Sequence, residues 1–140
     1  MDHVSVVVED LEGAIAFFVA LGMELEGATS VEGPWVDAII GIPGTRTDIA
    51  MVRTPDGHNR LELTRYRNPA ATTLEPGAPP NTLGYRTVMF EVDDIDETVA
   101  RMQGHGAELV GEIVDFESVY RLCYLRGPEG VLVALAQHIG

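Results

Sequence analysis

The sequence predicts an α+β fold of two tandem β-α-β-β-β modules within one chain of 140 residues. Three observations predict it. Residues 3–25 match residues 87–109 at a constant offset of 84, with seven identities in twenty-three positions. Within each copy an alternating apolar run gives way to a helical apolar pattern. Each copy then ends on a Pro-acid-Gly turn between two strand-like runs, "RTPDGHNRLEL" and "RGPEGVLVAL".

The elements follow in order. Val4, Val6 and Val8 alternate with His3, Ser5 and Val7, so the first strand has two distinct faces. Val88, Phe90 and Val92 alternate with Thr87, Met89 and Glu91 in the second copy. Asp10 and Asp94 stand where helix N-caps belong, and Asp94 with Glu97 has capping-box spacing. Ile15, Phe18 and Val19 supply an apolar stripe to the first helix; Ile95, Val99 and Met102 do so for the second. Gly22 and Gly106 are placed to end them. "DAIIGIPGTRTDIAMVR" and "SVYRLCYLR" both read as strand-like, the first inside a longer connection. The stretch "YRNPAATTLEPGAPPNTLG" carries four of the eight prolines and predicts a semi-stiff surface linker. One domain is expected: residues 1–66 as first module, 67–83 as linker and 84–140 as second module.

Composition narrows the function class. No apolar run approaches the roughly 20 residues of a membrane helix, and no basic-then-apolar leader is visible. The single cysteine, Cys123, has no internal disulfide partner and reads as a small core residue. A cytoplasmic protein without membrane partners is expected. The net charge of −13 argues against nucleic acid and favours cationic ligands or metal ions. "GIPG" and "GPEG" are turns, and a chain without lysine has no phosphate-loop lysine.

"DHVSVVVEDLEGAIAFF", "RLELTRY", "VMFEVDDIDETVARM" and "RGPEGVLVAL" cover nearly the whole chain, and their order and spacing resemble the vicinal oxygen chelate superfamily. That group includes glyoxalase I, methylmalonyl-CoA epimerase, extradiol dioxygenases, and fosfomycin and bleomycin resistance proteins. "IIGIPGTRTDIAMVR" followed by "RLEL" is most similar to the glyoxalase and epimerase-like branch. The resemblance implies half-barrels that together make a half-open mixed β-barrel around a small-molecule cavity. It also implies a homodimer, domain-swapped or not, and a divalent metal that acts as Lewis acid on two neighbouring substrate oxygens.

Carried over position by position, the resemblance places metal ligands at His3 and Glu62. These suit Zn²⁺, Ni²⁺, Mn²⁺ or Fe²⁺. The matching positions of the second module hold Thr87 and Ala134, so two of four expected ligands are absent. His3 has only two residues before it, and terminal residues fray unless tied down. His58, His105 and His138 are expected to face solvent. Leu61 and Leu63 flank Glu62 on the other face, so Glu62 points to the cavity side. There it needs a partner, with Arg60, Arg121 or a cationic ligand as candidates. Glu62 could also serve as a general base without metal.

Cavity candidates are Ser5, Val7, Trp35, Thr87, Met89, Tyr120, Tyr124, Leu132 and Ala134. Tyr120, Leu122 and Tyr124 share one strand face, and Arg121, Cys123 and Leu125 the other; the pattern does not say which is inward. Trp35 could roof the cavity or pack in a core. Two functions follow. One is a small-molecule-binding protein of the glyoxalase-like lyase or epimerase-type isomerase kind, with a degenerate metal site. The other is a metal-free, ligand-sequestering protein of the bleomycin-resistance type.

Overall fold

A computed structural model of the chain describes residues 1–73 and 75–140. They form two compact units, Met1–Thr73 and Leu74–Gly140. The first contains β1 (Val4–Val7), α1 (Leu11–Leu21), β2 (Glu24–Glu32), α2 (Pro34–Ile40), β3 (Arg46–Arg53) and β4 (Arg60–Asn68). The second contains β5 (Thr87–Glu91), α3 (Ile95–Gln103), β6 (Glu108–Leu109), β7 (Val114–Phe116), β8 (Tyr120–Arg126), a 3-10 turn (Pro128–Gly130) and β9 (Leu132–His138). Each unit is thus a β-α-β-β-β module around its own mixed sheet, as the repeat predicts; β6 and β7 share one edge of β8.

The first sheet runs β1-β4-β3-β2 and the second β5-β9-β8-β6. In each, the first strand lies parallel to the last and the other pairs are antiparallel. Parallel neighbours need a long crossover between them, usually through a helix, and α1 and α3 follow β1 and β5 directly. The Asp10 carboxylate accepts from the Gly13 amide at 2.9 Å, and that of Asp94 from Glu97 at 3.0 Å. Both N-caps stand where the sequence places them.

Gly22 caps α1 as expected, whereas α3 ends on Gly104 and not on Gly106; two larger expectations change. The stripe of α1 is rotated: Leu11, Ala14, Phe17, Phe18 and Leu21 are buried, whereas Val19 is 45% exposed. Phe17 and Phe18 meet edge to face at 5.2 Å, and two phenyl rings outweigh one valine in choosing the buried face. In α3 the expected residues Ile95, Val99 and Met102 are all buried.

The second change concerns "DAIIGIPGTRTDIAMVR", where only Arg46–Arg53 is strand. Residues 37–40 belong to α2. Pro34 opens that helix, with its φ already set for the first turn. Gly41 closes it at φ 82°, a left-handed conformation that favours glycine. The Asp37 carboxylate then accepts from the Gly44 and Thr45 amides, both at 2.9 Å. These local bonds satisfy backbone groups that a strand would have paired in the sheet.

The expected linker is divided between the units, and its later part is strapped down. Arg126 donates to the carbonyls of Pro76 at 2.9 Å and Ala78 at 3.0 Å, and Arg86 donates to Ala78 at 3.1 Å.

Candidate functional site

In the first unit α1 covers one face of the sheet, where Ala50, Val52, Leu61 and Leu63 are buried. Side chains alternate along a strand, so Glu62 and Thr64 point to the helix-free face. The parallel register sets Ser5 beside Glu62 and Val7 beside Thr64. His3, just before β1, continues that face.

A polar network forms there. Glu62 Oε1 accepts from Ser5 Oγ at 3.1 Å and from Thr64 Oγ1 at 2.9 Å. Glu62 Oε2 stands 3.3 Å from His3 Nε2. One carboxylate oxygen is anchored by hydroxyls, and the other faces the imidazole. The Glu62 side chain is 21% exposed and that of His3 31%, so both are reachable by a small molecule and partly shielded from water. On its far side His3 Nδ1 lies 2.7 Å from Asp2 Oδ2. The Asp2 carboxyl is held below the usual carboxylate range, first by His3 and then by Arg60.

The partners expected for Glu62 are corrected. Arg60 donates to Asp2 at 2.8 Å and to Glu26 at 2.9 Å. Arg121 pairs with Asp96 at 2.6 Å and Asp115 at 3.3 Å. Nearer donors win: Ser5 and Thr64 flank Glu62 on the same face, whereas Arg60 reaches its own acidic neighbours.

Two ligand bonds of about 2.1 Å at 90–110° would put their donor atoms about 3.0–3.4 Å apart. The His3–Glu62 spacing of 3.3 Å matches that. Yet the donor set is short. Among the described residues no group of three or more His, Cys, Asp or Glu side chains is placed to hold a metal ion. A catalytic centre of the zinc type keeps three protein ligands. His58, His105 and His138 are exposed, and the His138 ring packs edge-on to Tyr120. His3 and Glu62 thus bring together two of the four donors that the resemblance implies.

In the second unit the face left open by sequence reasoning is decided. Arg121 turns to Asp96 at the start of α3, and Cys123 and Leu125 are buried. Tyr120, Leu122 and Tyr124 lie on the opposite face. Register sets Tyr124 beside Ala134, Ala134 beside Met89, and Thr87 beside Leu132. Thr87, Met89, Leu132, Ala134, Tyr120 and Tyr124 thus share one helix-free face. A hollow of about 360 Å³ opens where β6 and β7 part, lined by Val110, Glu112, Val114, Leu122, Cys123 and Tyr124. Of the cavity candidates it includes Tyr124. Trp35 is 60% exposed on α2, so it is not core. Burial pushes the Cys123 thiol pKa up, as suits a core residue.

Sequence reasoning missed Thr64 and Asp2. Thr64 was within reach, being two residues beyond Glu62 on the same strand face. Asp2 was not, because only its contacts separate it from any other exposed acid.

A family model described as the Glyoxalase/Bleomycin resistance protein/Dioxygenase superfamily matches residues 1–135. Among solved structures, a glyoxalase family protein from Bacillus cereus is 52% identical, with TM-score 0.96 over 100% of this chain and 94% of that one. A mutant of glyoxalase I from Zea mays is 20% identical, with TM-score 0.69 over 97% of this chain and 45% of that one. A mutant of the fosfomycin resistance protein FosX from Listeria monocytogenes, complexed with Mn(II) and 1S,2S-dihydroxypropylphosphonic acid, is 15% identical. Its TM-score is 0.62 over 100% of this chain and 89% of that one. The last two share the fold. A search of curated proteins found no match. With the family model spanning both modules and the half-identical relative matching end to end, this chain belongs to the glyoxalase/bleomycin resistance protein/dioxygenase superfamily.

Proposed function

We propose that this chain binds a small oxygenated molecule and moves a proton on it, as a lyase or isomerase does, with Glu62 as the base and His3 as its partner. The observation that carries the reading is the asymmetry of Glu62. Its Oε1 is held by Ser5 and Thr64, while its Oε2 is directed at His3 on a helix-free face. Anchoring one oxygen keeps the carboxylate from rotating, so the other meets an incoming C–H or O–H in one geometry. Glu62 Oε2 takes a proton from carbon beside a carbonyl, and the same oxygen returns it. His3 Nε2 stands 3.3 Å from that same carboxylate oxygen, so its ring borders the place where a substrate oxygen would take up charge.

The test is deuterium wash-in. A panel of α-hydroxycarbonyl and α-keto compounds is incubated in D₂O with wild type, Glu62→Gln and His3→Ala, and exchange is followed by NMR. The expected result is exchange in wild type that falls about 10²–10⁴-fold in Glu62→Gln. Exchange equal in wild type and Glu62→Gln overturns the assignment of the base.

A second reading is ligand sequestration. The second unit favours it: Met89, Tyr120 and Tyr124 are exposed apolar side chains on one face with Thr87 and Ala134, and the net charge is −13. Such a surface suits a cationic, partly apolar guest. Tight binding of cationic aromatic compounds that Glu62→Gln leaves unchanged, without exchange, selects this reading.

We also propose a homodimer in the cytoplasm. Strands β1 and β2 are the edges of their own sheet, and exposed edges are commonly covered by a partner. Among the described residues no helix is long and apolar enough to cross a membrane. Sedimentation would read the mass directly: 15.2 kDa per chain makes a dimer about 30 kDa.

A further inference from the structure

We propose that the outward face of α2 is a contact surface of the homodimer, covered by the same face of a second copy. This rests on the homodimer proposed above and names its surface.

Helix α2 buries only Val36. Its larger apolar side chains look outward. Trp35 is 60% exposed and Ile39 76%, while Ile40 and Ile42, the latter just past the Gly41 cap, are each 38% exposed. Trp35 and Ile39 stand four residues apart, so they share one face of the helix. A helix of 7 residues is marginal by itself, and the surrounding chain holds this one in place. Thr45 Oγ1 donates to the Ile42 carbonyl at 2.7 Å, and Asn68 Nδ2 at the end of β4 donates to the Gly44 carbonyl at 2.7 Å. A face already fixed loses little entropy when it docks.

Two observations choose the occupant. The first is charge. From Gly33 to Thr45 the only charged residue is Asp37, and both its oxygens accept backbone amides, from Gly44 and Thr45. Two copies at −13 each repel one another, so they meet at least cost where neither presents a charge. The same net charge opposes docking on an anionic lipid surface. The second is area. At about 150–250 Å² for a large side chain, the four leave on the order of 400 Å² in water, a patch of the size that on a monomer is often functional. A second copy brings the same again. Helix α2 packs against β2, an edge strand whose residues are almost all exposed. Together the two faces and their adjoining edges approach the roughly 1,200–2,000 Å² of a stable interface. A face that pairs with itself closes at two copies.

The test uses Trp35, the single tryptophan of the chain, as its own reporter. Sedimentation and acrylamide quenching of tryptophan fluorescence are measured on wild type and Ile39→Glu. Ile39 is 76% exposed, so the substitution spares the fold, which matching circular dichroism spectra check. Wild type is expected to sediment as a dimer with Trp35 shielded. Ile39→Glu should dimerise about 10²-fold more weakly, the size of a hot-spot loss, with Trp35 quenched several-fold faster. Diluting wild type until the dimer dissociates should raise quenching in step with the fall in mass, with no substitution at all. Ile39→Glu dimerising as tightly as wild type, or a wild-type dimer whose Trp35 is as open to acrylamide as in its monomer, overturns the proposal and leaves the homodimer standing on another surface. A wild type that stays monomeric at the highest concentration overturns both.

Discussion

Asp48→Asn removes the acid on which three strands converge. Asp48 on β3 accepts from Ser30 Oγ on β2 at 2.6 Å, from Arg65 Nη2 on β4 at 2.6 Å and from Arg67 Nε at 2.6 Å. Its side chain is 8% exposed. The Ser30 hydroxyl, followed by the two guanidiniums, holds its carboxyl far below the usual carboxylate range. The asparagine amide can keep the Ser30 bond and loses the charge-assisted contacts of two guanidiniums, Arg65 through Nε and Nη2 and Arg67 through Nε. Each such bond contributes about 1.5–3 kcal/mol when shielded, and Arg67, more than half exposed, contributes less. The expected loss is about 2–3 kcal/mol at pH 7.

The same cluster sets a pH dependence. A carboxyl with a depressed folded pKa stabilises fully above its unfolded pKa of about 3.9. That contribution is lost as pH falls towards the folded pKa, at most about 1.4 kcal/mol per pH unit. Urea denaturation of wild type and Asp48→Asn at pH 7, 4 and 3 checks both parts. The gap should be about 2–3 kcal/mol at pH 7, persist at pH 4 and narrow by about 1 kcal/mol at pH 3. A gap that does not change with pH would refute the charge argument and leave only packing.

Four further outcomes are expected. Gly22→Ala, at φ 122° with open space for a Cβ, should cost about 1 kcal/mol in a thermal or urea melt. Gly130→Ala should cost more, about 2–3 kcal/mol, because its Cβ would come 2.4 Å from the Pro76 carbonyl; faster proteolysis within residues 75–80 would show the strap released. Thr64→Val removes a donor to Glu62 Oε1 and should lower any deuterium exchange about tenfold with little effect on folding. Cys123 should resist a thiol reagent in the native protein at about pH 8 and react fully in urea.

The doubling of the chain was legible because it is written twice. Asp10 and Asp94 cap helices at matched positions, and Val4 and Val88 lie in matched strands. Helix α2 was not legible, because Asp37–Ile40 is short and apolar and the same letters serve a strand. What decided it was Asp37 bonding to Gly44 and Thr45. The outward turn of Val19 was hidden for a related reason: periodicity gives a stripe, and only packing chooses between neighbouring stripes.

The site divides in the same way. His3, Glu62, Thr87 and Ala134 sit at positions that the family resemblance picks out, and strand alternation, a local property of the backbone, says which way Glu62 faces. The partners of Glu62 depend on strand register, which joins residues 57 apart in the chain for Ser5 and Glu62. Sequence order ranked Arg60 as a neighbour of Glu62, yet Arg60 turned to Asp2 and Glu26. By itself, then, the sequence determined the repeated fold and the alternation of its strands, products of local pattern, while the unequal donor sets of the two modules followed from the family resemblance. Only the tertiary structure decided which acids and bases meet, because hydrogen bonds act over about 3 Å and chain distance does not predict them.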